Sequence, residues 1–402
     1  MNKVYIVGAK RSPIGAFLGT LKDIPLAELS SQVLKATLQS AGVAAESIDT
    51  VIVGNVLQAG LGQNIARQIS IKAGIPESVP ANSINMVCGS GMKAVMNGAL
   101  EILTGNADLV VSGGVEAMSQ APYLVGSRIR EGVKMGDLQM QDVILQDGLI
   151  DSFSKIHMGI TAENIADLYG ITRLEQDAFA LESQRKAIAA VDGGVFDQEI
   201  VPIEIKTKKE TLVFARDEYP NRTTNPEKMA KLRPAFKTDG SVTAGNASGI
   251  NDGASFLILA SEKAVAKHGL KPLAEVVAFA EAGVSPNLMG MGPVPAIRKA
   301  LLKASRELAD MELIELNEAF AAQSLGVVTE LAKEHGLSKD AILERTNVHG
   351  GAIALGHPVG MSGNRIVVTL IHELARQGKS VGLASLCIGG GMGTAVVVQI
   401  VK

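Results

Sequence analysis

The 402-residue chain has no tryptophan, two cysteines and only 3% aromatic residues. Cys88 and Cys387 are too few for a disulfide framework, and neither lies at metal-ligand spacing from other Cys or His. A reducing cytoplasm suits such a chain, and no metal is expected. The formal net charge of −3 leaves no basic excess for a phosphate backbone, which excludes nucleic acid as an expected partner. No apolar run approaches the ~18 residues of a membrane span. The opening MNKVYIVGAKRSPIG meets Lys10 and Arg11 too soon for a signal peptide, so no membrane association is expected.

What the chain has in abundance is glycine, 43 residues, within a composition that is 47% hydrophobic. Together these indicate a compact α/β protein with tight turns and closely packed helices. Short β-branched runs alternate with helical patterns: VYIVGA, PLAELSSQVLKATLQSAG, DTVIVGN, QNIARQISIKAG and SINMV. Over 25–41 the helical period places Leu26, Leu29, Val33 and Leu34 on one face, and Gly42 supplies the left-handed stop.

The chain also repeats itself. VIVGNVLQA (51–59) resembles LIELNEAFA (313–321), pairing Asn55 with Asn317 at an offset of 262, and NMVCGSG (85–91) resembles NVHGGAI (347–353) at the same offset. DLVVSGG and GLASLCIGG pair Gly113 with Gly389 at an offset of 276, which gives the second half about 14 extra residues around GGAIALGHPVG. Both halves end in a glycine turn and a strand, NDGASFLILASEKA and GGGMGTAVVVQIVK. The first half's final strand is delayed by a loop-rich stretch with two helical runs. The expected organisation is an N-terminal half of 1–119 with 249–270, an inserted loop domain at 120–248 that covers a ligand, and a C-terminal half of 271–402.

Glycine-dense segments carry the reactive side chains: NMVCGSGMKAV (85–95), NEAFAAQ (317–323), HGGAIALGHPVGMSG (349–363) and SLCIGGGMG (385–393). Each follows an expected strand, and loops beyond strand C-termini converge on one sheet edge. Cys88 at a strand-to-helix turn would have its pKa lowered by the helix N-terminus, and His357 would take its proton. Cys387 would serve as a second acid/base, and the glycines after it would let backbone N–H groups approach a substrate oxygen. Bland readings compete at every position: an inert buried thiol for either cysteine, a core histidine for His357, His349 or His157, and a helix cap for Asn317. GSGMKA is a weak dinucleotide signal, lacking the third glycine and an acidic partner.

Taken with RSPIGAFLGTL, GGVEAMS, HMGITAEN, AGNASGIND and MGMGPVPA, these segments resemble the thiolase family over nearly the whole chain, and within it the acetyl-CoA acetyltransferases. The resemblance implies a duplicated α/β fold in αβαβα layers with an inserted loop domain. It implies reversible Claisen condensation of two acetyl-CoA to acetoacetyl-CoA and CoA, with no cofactor beyond these thioester substrates. By resemblance Cys88 is the acylated nucleophile, His357 activates it and protonates the departing CoA, and Cys387 removes the α-proton. Asn317 holds a water that binds the thioester oxygen with His357, and the N–H groups of Cys88 and Gly389 form a second oxyanion hole. His157, Met158, Leu149, Ala244, Ser248, Met289, Ala319 and Phe320 would line the pantetheine and acyl site, with Arg222 near the adenine and phosphates. The chain departs from the family at Asn221, where arginine is expected one position before Arg222, at His349 for asparagine, and at Met361 for alanine. A homotetramer, as a dimer of dimers, is the expected assembly. Competing functions are a degradative 3-ketoacyl-CoA thiolase for longer chains and a noncatalytic acyl-CoA or lipid carrier. A condensing ketoacyl synthase fits less well, since it would need a second histidine.

Overall fold

The computed structural model describes residues 3–206 and 208–401. Strands β1 (Val4–Arg11), β2 (Thr50–Gly54), β3 (Ala81–Ile84), β4 (Leu109–Ala117) and β5 (Asn251–Ser261) come from the first half of the repeat. Strands β6 (Ala274–Gly283), β7 (Leu313–Leu316), β8 (Val381–Ile388) and β9 (Met392–Ile400) come from the second. They form one sheet in the order β7-β8-β9-β6-β1-β5-β4-β2-β3. Four strands on each side of the β1–β6 seam, where Tyr5 pairs with Glu275 and Ile6 with Ala274, follow the same order, and β3 adds an edge strand to the first half alone. The duplication in the sequence is therefore a twofold-like repeat within a continuous sheet.

Alternation along the strands builds the layers, because successive side chains point to opposite faces. On β5, Phe256 and Ile258 face an outer core with Leu29 and Val33 of helix α1 (Leu26–Ala41), while Leu257 and Leu259 face inward. The inward side chains meet Met92 and Val95 of α3 (Ser90–Leu103) and Val367 and Ile371 of α8 (Val359–Arg376). On β9, Val396 and Val398 join that central core, and Val397 faces a third with Ile297 of α6 (Pro293–Ala304) and Val328 of α7 (Ala321–His335). The result is five layers, αβαβα, with α3 and α8 in the middle. Each fully buried aliphatic side chain contributes about 1.5–3 kcal/mol. α1 ends as expected, with Gly42 at φ 65°. Between these half-cores helix α2 (Ile65–Lys72) packs on the first half, and α4 (Met158–Tyr169) and α5 (Arg173–Asp192) belong to the chain between β4 and β5.

One alignment of the halves needs correction. β2 ends at Gly54, paired with Gly114, and β7 ends at Leu316, paired with Ser385. Gly54 and Leu316 stand 262 apart, so Gly114 matches Ser385 at 271 (385 − 114). The second half has nine extra residues (271 − 262), not fourteen, and Gly113 does not match Gly389. The corrected register sets Glu116 opposite Cys387. Both α3 and α8 start two residues after a reactive side chain, Cys88 and His357 respectively.

Candidate active site

The two central helices touch through glycine. A Cβ on Gly91 would lie 2.7 Å from Asn364 N and 2.8 Å from Gly360 O, and one on Gly363 would lie 2.6 Å from Met92 N. Backbone-to-backbone packing at their N-termini brings the Cys88 turn and His357 to one place. Asn317 follows β7, and Cys387 and Gly389 lie at the end of β8, on the same side of the sheet.

Cys88 occupies a constrained turn. Val87 before it has φ 47°, left-handed backbone that a β-branched residue adopts only when held. Val87 N–H donates to Asn85 Oδ1 (2.9 Å), Met86 N–H to Ser90 Oγ (2.8 Å), and Ser90 Oγ to Val87 O (2.7 Å). Strain of about 1–3 kcal/mol kept in place by such a network marks functional turns. The helix N-terminus does not lower the Cys88 pKa as the sequence suggested. Burial pushes the thiol up to about 11, and the Glu116 charge adds to it; the backbone N–H groups of Gly389 and Cys88 oppose this without prevailing. The desolvation comes from the apolar cluster of Val56, Leu57 and Val359, to which Cys88 and Leu149 attach. Those same two N–H groups lie beside the sulfur, next to where the oxygen of a carbonyl under attack would sit.

His357 is buried, and its N–H donates to Asn251 Oδ1 (2.9 Å). Its Nδ1 lies 2.6 Å from Ser362 Oγ, which donates to Pro358 O (3.0 Å). Ser362 has one proton, so Nδ1–H is the donor to it. Asn317 Nδ2 approaches Nε2 at 3.5 Å. Both contacts select the Nδ1–H tautomer and leave Nε2 free to accept a proton. Burial, with Arg365 adding, lowers the imidazole pKa to about 4, so His357 is neutral at pH 7. Asn317 is not a helix cap: α7 starts at Ala321 with Phe320 before it and no side-chain cap. Its Oδ1 is buried without a protein partner, an acceptor suited to water or a substrate group.

Cys387 is wholly buried, and burial followed by the Cys88 charge pushes its thiol well above the usual range. Ile388, next in the chain to Cys387, packs on Gly89, next to Cys88: a Cβ on Gly89 would overlap Ile388 Cδ1, which brings the two thiol turns together. Cys387 shares an apolar cluster with Met158, Met289, Ala319 and Phe320. A Cβ on Gly389 would meet Val87 Cγ1 at 3.3 Å and Met158 Sδ at 3.5 Å, so the glycine fits between the Cys88 turn and the Met158 wall. His157 accepts from Gly159 N–H (3.0 Å) and stacks on Phe236 at 4.5 Å, which in turn meets Phe320 edge-on. Burial lowers the His157 pKa. Ser248 N–H donates to Ala319 O (3.0 Å).

Arg222 and Ala244 stand apart from the sulfurs. They line a cavity of about 460 Å3 with Tyr219, Asn221 and Gly245, and Arg222 is held by Asp192 in two hydrogen bonds of 2.8 and 2.7 Å. His349 pairs with Glu373 (2.8 Å), and Met361 packs with Ile14, Ala187 and Leu355; neither belongs to the clusters around the two sulfurs. Sequence reasoning missed Ser362, Asn251 and Phe236. Ser362 had a signal, lying five residues after His357 in the quoted GHPVGMSG. Phe236 had none, since its stacking partner is 79 positions away (236 − 157).

Among the described residues no group of three or more His, Cys, Asp or Glu could hold a metal ion, and no helix is long and apolar enough to cross a membrane. Residues 4–263 match the thiolase N-terminal domain and 270–400 the thiolase C-terminal domain. The layered fold and the two domain matches are thus those of a thiolase, and the chain belongs to the thiolase family. At full length it is 53% identical to an acetyl-CoA acetyltransferase of Syntrophomonas wolfei subsp. wolfei, with 99% of each chain covered. Solved structures agree: the Bacillus anthracis acetyl-CoA acetyltransferase (TM-score 0.95, 45% identity, 100% of this chain and 99% of that one) and human mitochondrial 3-ketoacyl-CoA thiolase (0.94, 46%, 100% and 99%).

Proposed function

We propose that this protein is an acetyl-CoA C-acetyltransferase, an acyltransferase that reversibly condenses two acetyl-CoA to acetoacetyl-CoA and CoA. The observation that carries the reading is the meeting of the two thiol turns, Gly389 against Val87 and Ile388 against Gly89, with His357 held in the Nδ1–H form where the two central helices cross. A hydrolase or simple acyl carrier has use for one thiol; carbon–carbon bond formation has use for two.

Both thiols begin protonated. Cys88 Sγ attacks the thioester carbonyl while its proton passes to His357 Nε2, and the Cys88 and Gly389 N–H groups hold the oxyanion. With Cys88 near 11 and His357 near 4, a free ion pair would cost on the order of 10 kcal/mol. Proton transfer is therefore concerted with C–S bond formation. His357 then returns that proton to the departing CoA sulfur, since its imidazolium is a far stronger acid than the buried Cys387 thiol. Cys387 removes the α-proton of the second acetyl-CoA as its own thiol proton passes to His357, so no free thiolate–imidazolium pair is formed. The enolate, stabilised by His357-H+ and by water on Asn317, attacks acetyl-Cys88. Cys88 recovers its proton from His357, and every group returns to its starting state.

His157, Met158, Leu149, Met289, Ala319, Phe320 and Ser248 surround the acyl group and the pantetheine arm. Ala244 and Arg222 lie farther along the CoA path, where Arg222 must exchange Asp192 for phosphate. Met158 Sδ closes the wall beside Gly389 and favours a short acyl group. No cofactor takes part. We place the enzyme in the cytoplasm as a homotetramer, a reading supported by the unpaired cysteines and by exposed Tyr123, Met135 and Met140 around a surface hairpin. Thiolysis assayed across acyl lengths tests the substrate: acetoacetyl-CoA should give the highest kcat/KM. Preference for chains of eight or more carbons, on the order of ten-fold, would instead assign a degradative 3-ketoacyl-CoA thiolase.

A further inference from the structure

One buried acid beside the site has no part in the scheme above. Glu116, wholly buried near the end of β4, stands in the first half where Cys387 stands in the second. Its carboxylate gathers four donors. Asn55 Nδ2 reaches Oε1 at 2.8 Å and Leu57 N–H reaches it at 3.1 Å; Val56 N–H reaches Oε2 at 3.1 Å and Gly360 N–H at 2.9 Å. Three donors come from the loop after β2, whose Val56 and Leu57 belong to the cluster holding Cys88. The fourth comes from the first turn of α8, three residues after His357.

We propose that Glu116 is a positioning residue for acyl transfer, clamping the α8 N-terminus that follows His357 to the loop that supports Cys88. The inference rests on the assignment of Cys88 and His357 as nucleophile and base. No other described side chain bonds both segments at once, and the clamp spans the two halves of the repeat at the point where their reactive groups meet. The carboxylate also complements the partial positive charge of the α8 N-terminus. Its charge bears on Cys88, and Asp252 on the adjacent strand is the other carboxylate facing it. Burial raises the Glu116 pKa to about 7, against the backbone N–H groups of Leu57, Val56 and Gly360. The group is therefore largely ionised at the alkaline pH where Cys88 titrates.

The test uses Glu116→Gln and Glu116→Asp in the full chain, with rates normalised to the amount of Cys88 that acetyl-CoA acetylates. Glu116→Gln presents an amide N–H to at least one of four donors, so kcat for condensation should fall ten-fold or more with KM for acetyl-CoA within two-fold. Removing the charge should also shift the pH midpoint of Cys88 alkylation downward. Glu116→Asp keeps the charge but loses reach: its alkylation midpoint should stay at the wild-type value while kcat falls. If the glutamine variant does not fold, the aspartate variant decides alone. Normalised kcat within two-fold of wild type in either folded variant, or an unmoved midpoint in Glu116→Gln, overturns the proposal. Acetylation of wild-type Cys88 is read in the same experiment, so failure of the catalytic assignment itself would be seen separately.

Discussion

At the scale of single residues, reactivity here comes from burial and orientation rather than from a preformed thiolate. A cysteine near 11 should show iodoacetamide alkylation that keeps rising past pH 9 in the free enzyme, measured as the rate of Cys88 modification. A plateau below pH 8 would mean that the helix start dominates after all. Ser362 has the complementary role of fixing the His357 tautomer through its 2.6 Å contact. Ser362→Ala should lower kcat by about 10–100-fold, less than the roughly 100–10,000-fold that general-base catalysis contributes because the imidazole itself is retained, while KM for CoA stays near wild type. The same kcat for both forms would show that Asn317 alone orients the ring. The residue types at the centre, two cysteines, a histidine and an asparagine, were legible in the sequence because each stood in a glycine-dense segment after a strand. Their protonation states were not, because desolvation depends on neighbours such as Val56 and Val359, which the local string does not identify as contacts of Cys88.

At the scale of elements, the site is made by the crossing of α3 and α8. Gly363→Ala would put a methyl group 2.6 Å from Met92 N, backbone that cannot yield cheaply. The variant should lose about 1–3 kcal/mol of stability, read from urea unfolding. It should also lose kcat, because separating the helices separates Cys88 from His357. Stability loss with unchanged kcat would detach the crossing from the chemistry. The periodicity of α1 and its Gly42 stop could be read directly, since both are local. The start of α7 could not: Asn317 is a good cap by type, yet it turns toward His357, and the helix begins four residues later at Ala321. Tertiary contact won over local preference. The repeat offset failed for a similar reason, since the glycines of DLVVSGG and CIGGG look alike while strand pairing sets Gly113 in register with Ala384, five residues ahead of Gly389.

At the scale of the whole molecule, the five layers bury ionisable groups whose protonation is linked to folding. His357 has a folded pKa near 4 against 6.5, so its contribution is present above pH 6.5 and lost as pH falls toward 4. Glu116, raised from 4.5 to about 7, acts in reverse: its contribution is full below 4.5 and lost as pH rises through 7. Burial likewise raises Glu315 to about 8, against the attraction of Arg365. Between pH 6.5 and 8 the carboxyl contributions alone are changing among these three. The urea midpoint should accordingly fall over that window, and a rise would contradict the burial of the two acids. The alternation of strands and helices announced an α/β repeat, whereas the continuous sheet through the β1–β6 seam depends on pairing between residues some 270 positions apart, as with Tyr5 and Glu275. The most direct measurement is peptide mass spectrometry after brief exposure to acetyl-CoA, applied to wild type, Cys88→Ala and Cys387→Ala. Acetyl should appear on Cys88 in wild type and in Cys387→Ala, which forms no acetoacetyl-CoA, and on neither cysteine in Cys88→Ala. Acetyl carried by Cys387, or condensation by Cys387→Ala near the wild-type rate, would contradict the division of labour between the two sulfurs.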